Sequence, residues 1–150
     1  MISRDYMTLK IWDVNMNSGP VDVIHIHDHL QASLKDLYES DCIFDKFRVA
    51  LSPDGNHLAT GSYENLFHVY DRCGQSDLCV RVDGENSSCT PRLRQDSQRS
   101  LDPADSWGTG FDFDSKILHL AWHPQHSAIA VGSLHDVYLY NTSSIGRSGL

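Results

Sequence analysis

The chain has 150 residues, 40% of them hydrophobic, and carries 12 basic against 20 acidic side chains for a net charge of −8. That length and apolar content suit a globular core, while the negative balance repels phosphate backbones and speaks against nucleic-acid binding. No apolar run nears the about 20 residues needed to cross a bilayer, and Met1-Ile-Ser-Arg-Asp5 lacks the apolar segment of a secretory leader.

Cys42, Cys73, Cys79 and Cys89 show no C-x-x-C spacing and read as free thiols. The expected setting is the cytosol, with access to the nucleus. The charge is uneven: residues 1–71 hold 11 acids and 5 bases, whereas residues 117–150 hold one of each.

Along the chain, the alternation of Thr8–Trp12 predicts a strand, Asn15–Pro20 a turn and Val21–Ile26 a second strand. The period then changes. Leu30, Leu34, Leu37 and Tyr38 share one helical face, and Asp28 with Gln31 three residues on resembles a capping box, so a helix is predicted from Asp28 to about Glu39. Strands follow at Phe47–Leu51, His57–Gly61, Leu66–Tyr70 and Leu78–Val82, with Ser52-Pro-Asp-Gly-Asn56 supplying a tight hairpin turn. Residues 83–116 are expected to be a flexible insertion, rich in Ser and Arg up to residue 106. Ile117–Trp122, Ala128–Val131 and Val137–Tyr140 complete the predicted strands, and 142–150 form a tail.

Two of these stretches are copies of one unit. At an offset of 71, Phe47-Arg-Val-Ala-Leu-Ser-Pro-Asp54 matches Leu118-His-Leu-Ala-Trp-His-Pro-Gln125, and Thr60–Asp71 matches Val131–Asn141 with one residue fewer. A partial third copy, Ser3–Asp13, ends in Trp12-Asp13. Short strands, Gly-Ser before the third and an aromatic-Asp at its end are the marks of a propeller blade, which cannot bury its apolar faces alone. The expected fold class is all-β: a partial WD40-type β-propeller of about two blades of a presumed seven, with one short inter-strand helix. The expected divisions are 1–26 (end of one blade), 27–46 (helix and acidic loop), 47–82 (a complete four-stranded blade), 83–116 (insertion) and 117–141 (a final blade without its outer strand). On this reading the chain is the C-terminal end of something longer.

The segments Ser3-Arg-Asp-Tyr6, Lys10-Ile-Trp-Asp-Val-Asn-Met16, Leu37-Tyr-Glu-Ser-Asp-Cys-Ile-Phe-Asp-Lys-Phe47, Thr60-Gly-Ser-Tyr63 and Lys116-Ile-Leu-His-Leu-Ala-Trp-His-Pro124 resemble the 55 kDa regulatory B subunits of protein phosphatase 2A. The resemblance implies a non-catalytic module that binds no cofactor, joins the phosphatase catalytic and scaffold subunits, and recruits phosphoprotein substrates. It also implies a substrate-binding groove, mapping here to Tyr38, Asp41 and Phe44. Residues 83–106 and the tail 143–150 match poorly, and nothing is carried over to them.

The residues themselves point the same way. Asp36, Glu39, Asp41 and Asp45 interleave with Tyr38, Phe44 and Phe47 just after the helix. Acids attract and orient basic segments, and aromatics add contact area and cation–π partners. Phe44 and Phe47 equally suit core positions of the next strand, with the acids then simply solvating a loop.

Other constellations are weaker. His25, His27 and His29 alternate as a strand-borne zinc set would, but a helix starting at Asp28 breaks the alignment, and no metal is expected. Ser62, His68, Ser133 and Asp136 have the residue types of a hydrolytic triad but sit inside blade motifs. Arg92-Leu-Arg-Gln-Asp-Ser97 fits a basophilic-kinase pattern, where a phosphate on Ser97 would add negative charge. Trp12 and Trp122 read as blade packing. The competing reading is a generic WD-repeat scaffold, such as a ubiquitin-ligase substrate receptor.

Overall fold

The computed structural model describes residues 1–16, 18–39, 41–72, 76–82, 89–93 and 113–141. The chain divides into two compact units, Met1–Lys46 and, among the described residues, Phe47–Leu93 with 113–141.

In the first unit, strands β1 (Ile2–Arg4), β2 (Thr8–Ile11) and β3 (Asp22–His25) form an antiparallel sheet in the order β1-β2-β3. Asp5 shapes the first turn. Its carboxylate accepts from the Met7 and Thr8 backbone N–H groups at 3.0 and 2.6 Å, from Thr8 Oγ1 at 2.8 Å and from Lys10 Nζ at 2.7 Å. Burial raises the pKa of this carboxyl, but the bonds from Lys10, Thr8 and Met7 outweigh it and bring the value down to about 2. Trp12 Nε1 donates to Ser3 Oγ at 2.7 Å, tying β2 to β1. Leu9 and Ile24 pair across β2 and β3 and are fully buried, joined in the core by Ile26, Leu30 and Leu37.

The predicted helix is present in two parts. A 3-10 segment, Asp28–Ser33, leads into α1, Leu34–Glu39. The capping box is absent: His27 occupies the N-cap, and its side chain makes no capping bond. Asp28 is instead drawn to His25, whose Nδ1 lies 3.0 Å from its carboxylate. Only part of the predicted apolar face is interior, since Leu30 and Leu37 are buried whereas Tyr38 is 62% exposed.

The second unit holds two sheets. One orders β4 (Val49–Leu51), β5 (His57–Gly61), β6 (Leu66–Asp71), β7 (Ser76–Arg81) and β8 (Cys89–Leu93) side by side. The fifth strand is a correction: Cys89–Leu93 lies within the expected flexible insertion yet pairs antiparallel with β7. The other sheet orders β11 (Val137–Asn141), β10 (Ala128–Gly132) and β9 (His119–Trp122). Ala59, Phe67, Val69 and Val80 pack on Ile117, Leu120, Ile129 and Val131, a continuous core between two repeats of the same unit.

At Gly61 the backbones of the two repeats come close together. Arg48 N–H donates to Leu118 O at 2.9 Å and Ile117 N–H to Ser62 O at 2.9 Å, drawing the strand backbones together. A Cβ on Gly61 would overlap the Ile117 carbonyl oxygen and come within 2.8 Å of its carbon. Only glycine fits this approach.

The two repeats cap their first hairpin turns with different chemistry. Ser52 Oγ accepts from His57 N–H at 2.9 Å and donates to Asp54, whose carboxylate also accepts from Asn56 N–H at 3.1 Å. The bond from Ser52, followed by that from Asn56, lowers the Asp54 pKa to about 2. In the second repeat His123 stands in place of Ser52, and its Nδ1 accepts from the Gln125 and His126 N–H groups at 3.1 and 3.0 Å.

Candidate functional site

Tyr38, Asp41 and Phe44 come together on the surface of the first unit. α1 ends at Glu39, and the chain reverses through Asp41 into the short 3-10 turn Cys42–Phe44. Asp41 makes the corner with φ 61° and ψ 7°, the left-handed region that Asp and Asn enter at lower cost than most residues. Its N–H donates to Tyr38 O at 3.3 Å, closing the last helical turn. Leu37, 1% exposed, anchors the helix from inside, so its neighbour Tyr38 is forced outward.

The consequence is a surface aromatic pair. Tyr38 and Phe44 are 62% and 59% exposed, with ring centroids 5.8 Å apart and planes tilted by 58°. The open choice for Phe44 is settled in favour of the surface. Phe47, by contrast, is buried, in edge contact with Tyr63 at 4.9 Å. Asp36, Glu39 and Asp41 are exposed and Asp45 half-buried around the pair. Two rings with this much free area, bordered by carboxylates, can take an aliphatic or cationic side chain between acidic neighbours.

The remaining candidates are arranged differently. His27 is fully buried, with its ring 5.3 Å from Tyr6 and 6.0 Å from His29, while His25 turns to Asp28. No group of three His, Cys, Asp or Glu among the described residues is placed to hold a metal ion. His68 bonds Asp77 at 2.9 Å and stacks on Tyr70, and Ser133 Oγ donates to Asn65 at 3.1 Å. The His68 contacts lie within one sheet, and the Ser133 bond joins the two repeats. Cys42 and Cys79 form no disulfide among the described residues. Ser97, Trp107, Cys73 and the side chain of Cys89 lie outside the described residues. Trp122 packs against the core, as expected.

Two features went unread in the sequence: the His123 cap, and the apolar side of β11, where Val137 and Leu139 are 74% and 80% exposed. The signal for the second was present, because Val137-Tyr-Leu-Tyr140 does not alternate with polar residues. A strand apolar on both sides expects cover on both.

Comparison with known proteins places these observations. The WD domain, G-beta repeat model matches residues 45–71, the segment that forms β4 to β6. The chain is 42% identical over 147 residues to the serine/threonine-protein phosphatase 2A regulatory subunit phr2AB of Dictyostelium discoideum, covering 93% of this chain and 30% of that protein. It is 41% identical over 155 residues to the B alpha isoform of the phosphatase 2A 55 kDa regulatory subunit from Oryza sativa subsp. japonica, at 93% and 27% coverage. With the B beta isoform from Carassius auratus it shares 37% identity over 150 residues, at 93% and 32% coverage. The chain thus spans about 30% of the length of the curated relatives it matches. The resemblance read from the sequence and the relatives found by comparison are the same family, and the antiparallel sheets fit a partial WD40 propeller.

Proposed function

We propose that this homologue of the 55 kDa regulatory B subunits of serine/threonine protein phosphatase 2A is a non-catalytic regulatory module, which recruits substrates through Tyr38, Asp41 and Phe44. The exposed Tyr38–Phe44 pair carries the reading. Two neighbouring aromatics more than half exposed gain contact area only when a partner covers them. Their acidic border favours a partner segment with Lys or Arg, attracted over distance by the carboxylates and held by the rings. The module itself performs no chemistry; its partners are a phosphatase catalytic subunit, a scaffold subunit and phosphoprotein substrates with basic segments, met in the cytosol and nucleus.

The test needs substitutions that spare the corner. Lysine at position 41 would change charge and also strain a left-handed residue, whereas Asp41→Asn keeps the backbone conformation and removes only the charge. Asp41→Asn is expected to weaken binding of a Lys/Arg-rich phosphopeptide, the more so at low salt. Tyr38→Ala and Phe44→Ala are each expected to cost about 1–2 kcal/mol of binding, the scale of an interface aromatic, with far-UV circular dichroism unchanged. Unaltered affinity in all three variants would remove this surface as the substrate site. Whether the chain joins the enzyme is read separately, by capture of catalytic and scaffold subunits from an extract.

A further inference from the structure

We propose that the turn between β9 and β10 is an acid-released catch: neutral His123 holds it closed, and protonation of His123 and its neighbour His126 opens it, while the matching turn of the first repeat stays shut.

The catch follows from which atom of His123 accepts. Its Nδ1 takes the Gln125 N–H at 3.1 Å and the His126 N–H at 3.0 Å, so the lone pair lies on Nδ1 and the ring is neutral, with its proton on Nε2. With both nitrogens committed, His123 has no lone pair to offer a metal ion, and binding a proton is the chemistry left to it. A proton on Nδ1 would turn the shared acceptor into a third donor facing two others, and both bonds would be lost. They brace the loop inside the last rung of the hairpin, where His123 N–H donates to Ala128 O at 2.8 Å and Ala128 N–H to His126 O at 2.7 Å.

His126 adds to the effect. Its ring centroid lies 4.4 Å from that of His123, with the planes tilted by 39°. Neutral rings pack at this separation, whereas two imidazolium ions repel. No carboxylate nearby in the fold offsets that charge: His123-Pro-Gln-His-Ser127 contains none. The titratable groups on β9 and on the β4, β5 and β10 strands packed against it are His119 and His57, and β11, beyond β10, adds the phenols of Tyr138 and Tyr140. Imidazole ordinarily titrates between about pH 5 and 8. Bonds made by the neutral ring are therefore complete above that range and lost as pH falls through it.

The first repeat responds in the other direction. Ser52 stands where His123 does; its hydroxyl accepts from His57 N–H and donates to Asp54. The bond from Ser52 is the main reason that the Asp54 pKa is lowered to about 2, so this cap stays intact through the whole imidazole range. His57 Nδ1 lies 3.9 Å from the Asp54 carboxylate, and charging His57 adds attraction there. The same protons thus open one turn and tighten its counterpart.

Amide exchange and imidazole nitrogen shifts of the full 150-residue chain test this. At about pH 7.5 His123 is expected as the Nε2–H tautomer. On acidification to about pH 5.5 the protection of the Gln125 and His126 amides, corrected for intrinsic exchange, should fall about tenfold, the scale of two lost hydrogen bonds. The Asn56 and His57 amides should keep theirs. His123→Asn, which retains an acceptor that does not titrate, should hold protection equal at both pH values, and His126→Gln should shrink the fall without abolishing it. Circular dichroism of each variant confirms retained sheet. An Nδ1–H tautomer at neutral pH would overturn the proposal on the unaltered chain. So would unchanged protection in acid, an equal fall in the first-repeat turn, or a fall that survives His123→Asn.

Discussion

A methyl group at Gly61 and one at Gly132 are the same chemical change at repeat-related positions, and the structure assigns them opposite outcomes. At Gly61 the added Cβ overlaps the Ile117 carbonyl oxygen and reaches 2.8 Å from its carbon. The obstacle is backbone, held by the Ile117 N–H to Ser62 O and Arg48 N–H to Leu118 O bonds, so no side chain can swing aside. Overpacking of a rigid interior costs about 1–3 kcal/mol, and Gly61→Ala belongs at the upper end. At Gly132 the nearest atoms are His119 O at 3.6 Å and its Cβ at 3.9 Å, ordinary contact. There the smaller entropy loss of alanine on folding returns roughly 0.5–1 kcal/mol. The difference is about 3.5–4 kcal/mol, roughly several hundredfold in an opening equilibrium. Native-state hydrogen exchange of the β5 and β10 amides measures both. Equal effects at the two glycines would show that the repeats do not meet at Ile117.

Acid sensitivity should follow the two turn carboxylates. Asp5 and Asp54 both have folded-state values of about 2, below the unfolded value near 3.9; their contribution is therefore complete above about pH 4 and lost as pH falls towards 2. Asp5→Asn should flatten this acid limb in a pH series of thermal melts, and Asp54→Asn less so, because Asp54 is the more solvated. His123→Leu removes the acceptor of two turn bonds and should loosen the β9–β10 hairpin by about 1 kcal/mol, read as faster exchange of the Gln125 and His126 amides. His123→Asn, which keeps a side-chain acceptor, should lose less.

Nine strands were readable because their residues alternate or run apolar throughout and the repeat doubles the signal: Leu58 and Ala59 recur as Ile129 and Ala130. β8 was not readable, since Thr90-Pro-Arg-Leu93 lies among Ser, Asp and Arg residues that carry no period. Its place depends on β7 offering a partner, a tertiary effect. The capping box at Asp28 failed for a related reason. An Asp before a helix has several acceptable partners, and His25 three residues back competes with the backbone N–H groups. In the candidate site the position of Tyr38 relative to Leu37 followed from the sequence only in part, because a helix face about 100° wide admits either as its edge. Phe44 and Phe47 could not be told apart, being separated by one helical turn or by odd strand spacing; the corner at Asp41 decides.

That corner links the fold to the proposed activity. A helix continuing past Glu39 would carry Phe44 around and away from Tyr38. A left-handed residue at position 41 instead turns the chain back within a few residues and sets the two rings 5.8 Å apart. Asp meets two requirements there: tolerance of the left-handed backbone and a carboxylate beside the rings. Glycine at this position would keep the first and lose the second. Asp41→Gly should therefore leave the Tyr38–Phe44 contact and the unit's stability intact while weakening binding of basic segments as much as Asp41→Asn does. A larger loss for glycine than for asparagine would mean that the carboxylate's charge is the lesser part of its role, and that rigidity of the corner is what the partner reads.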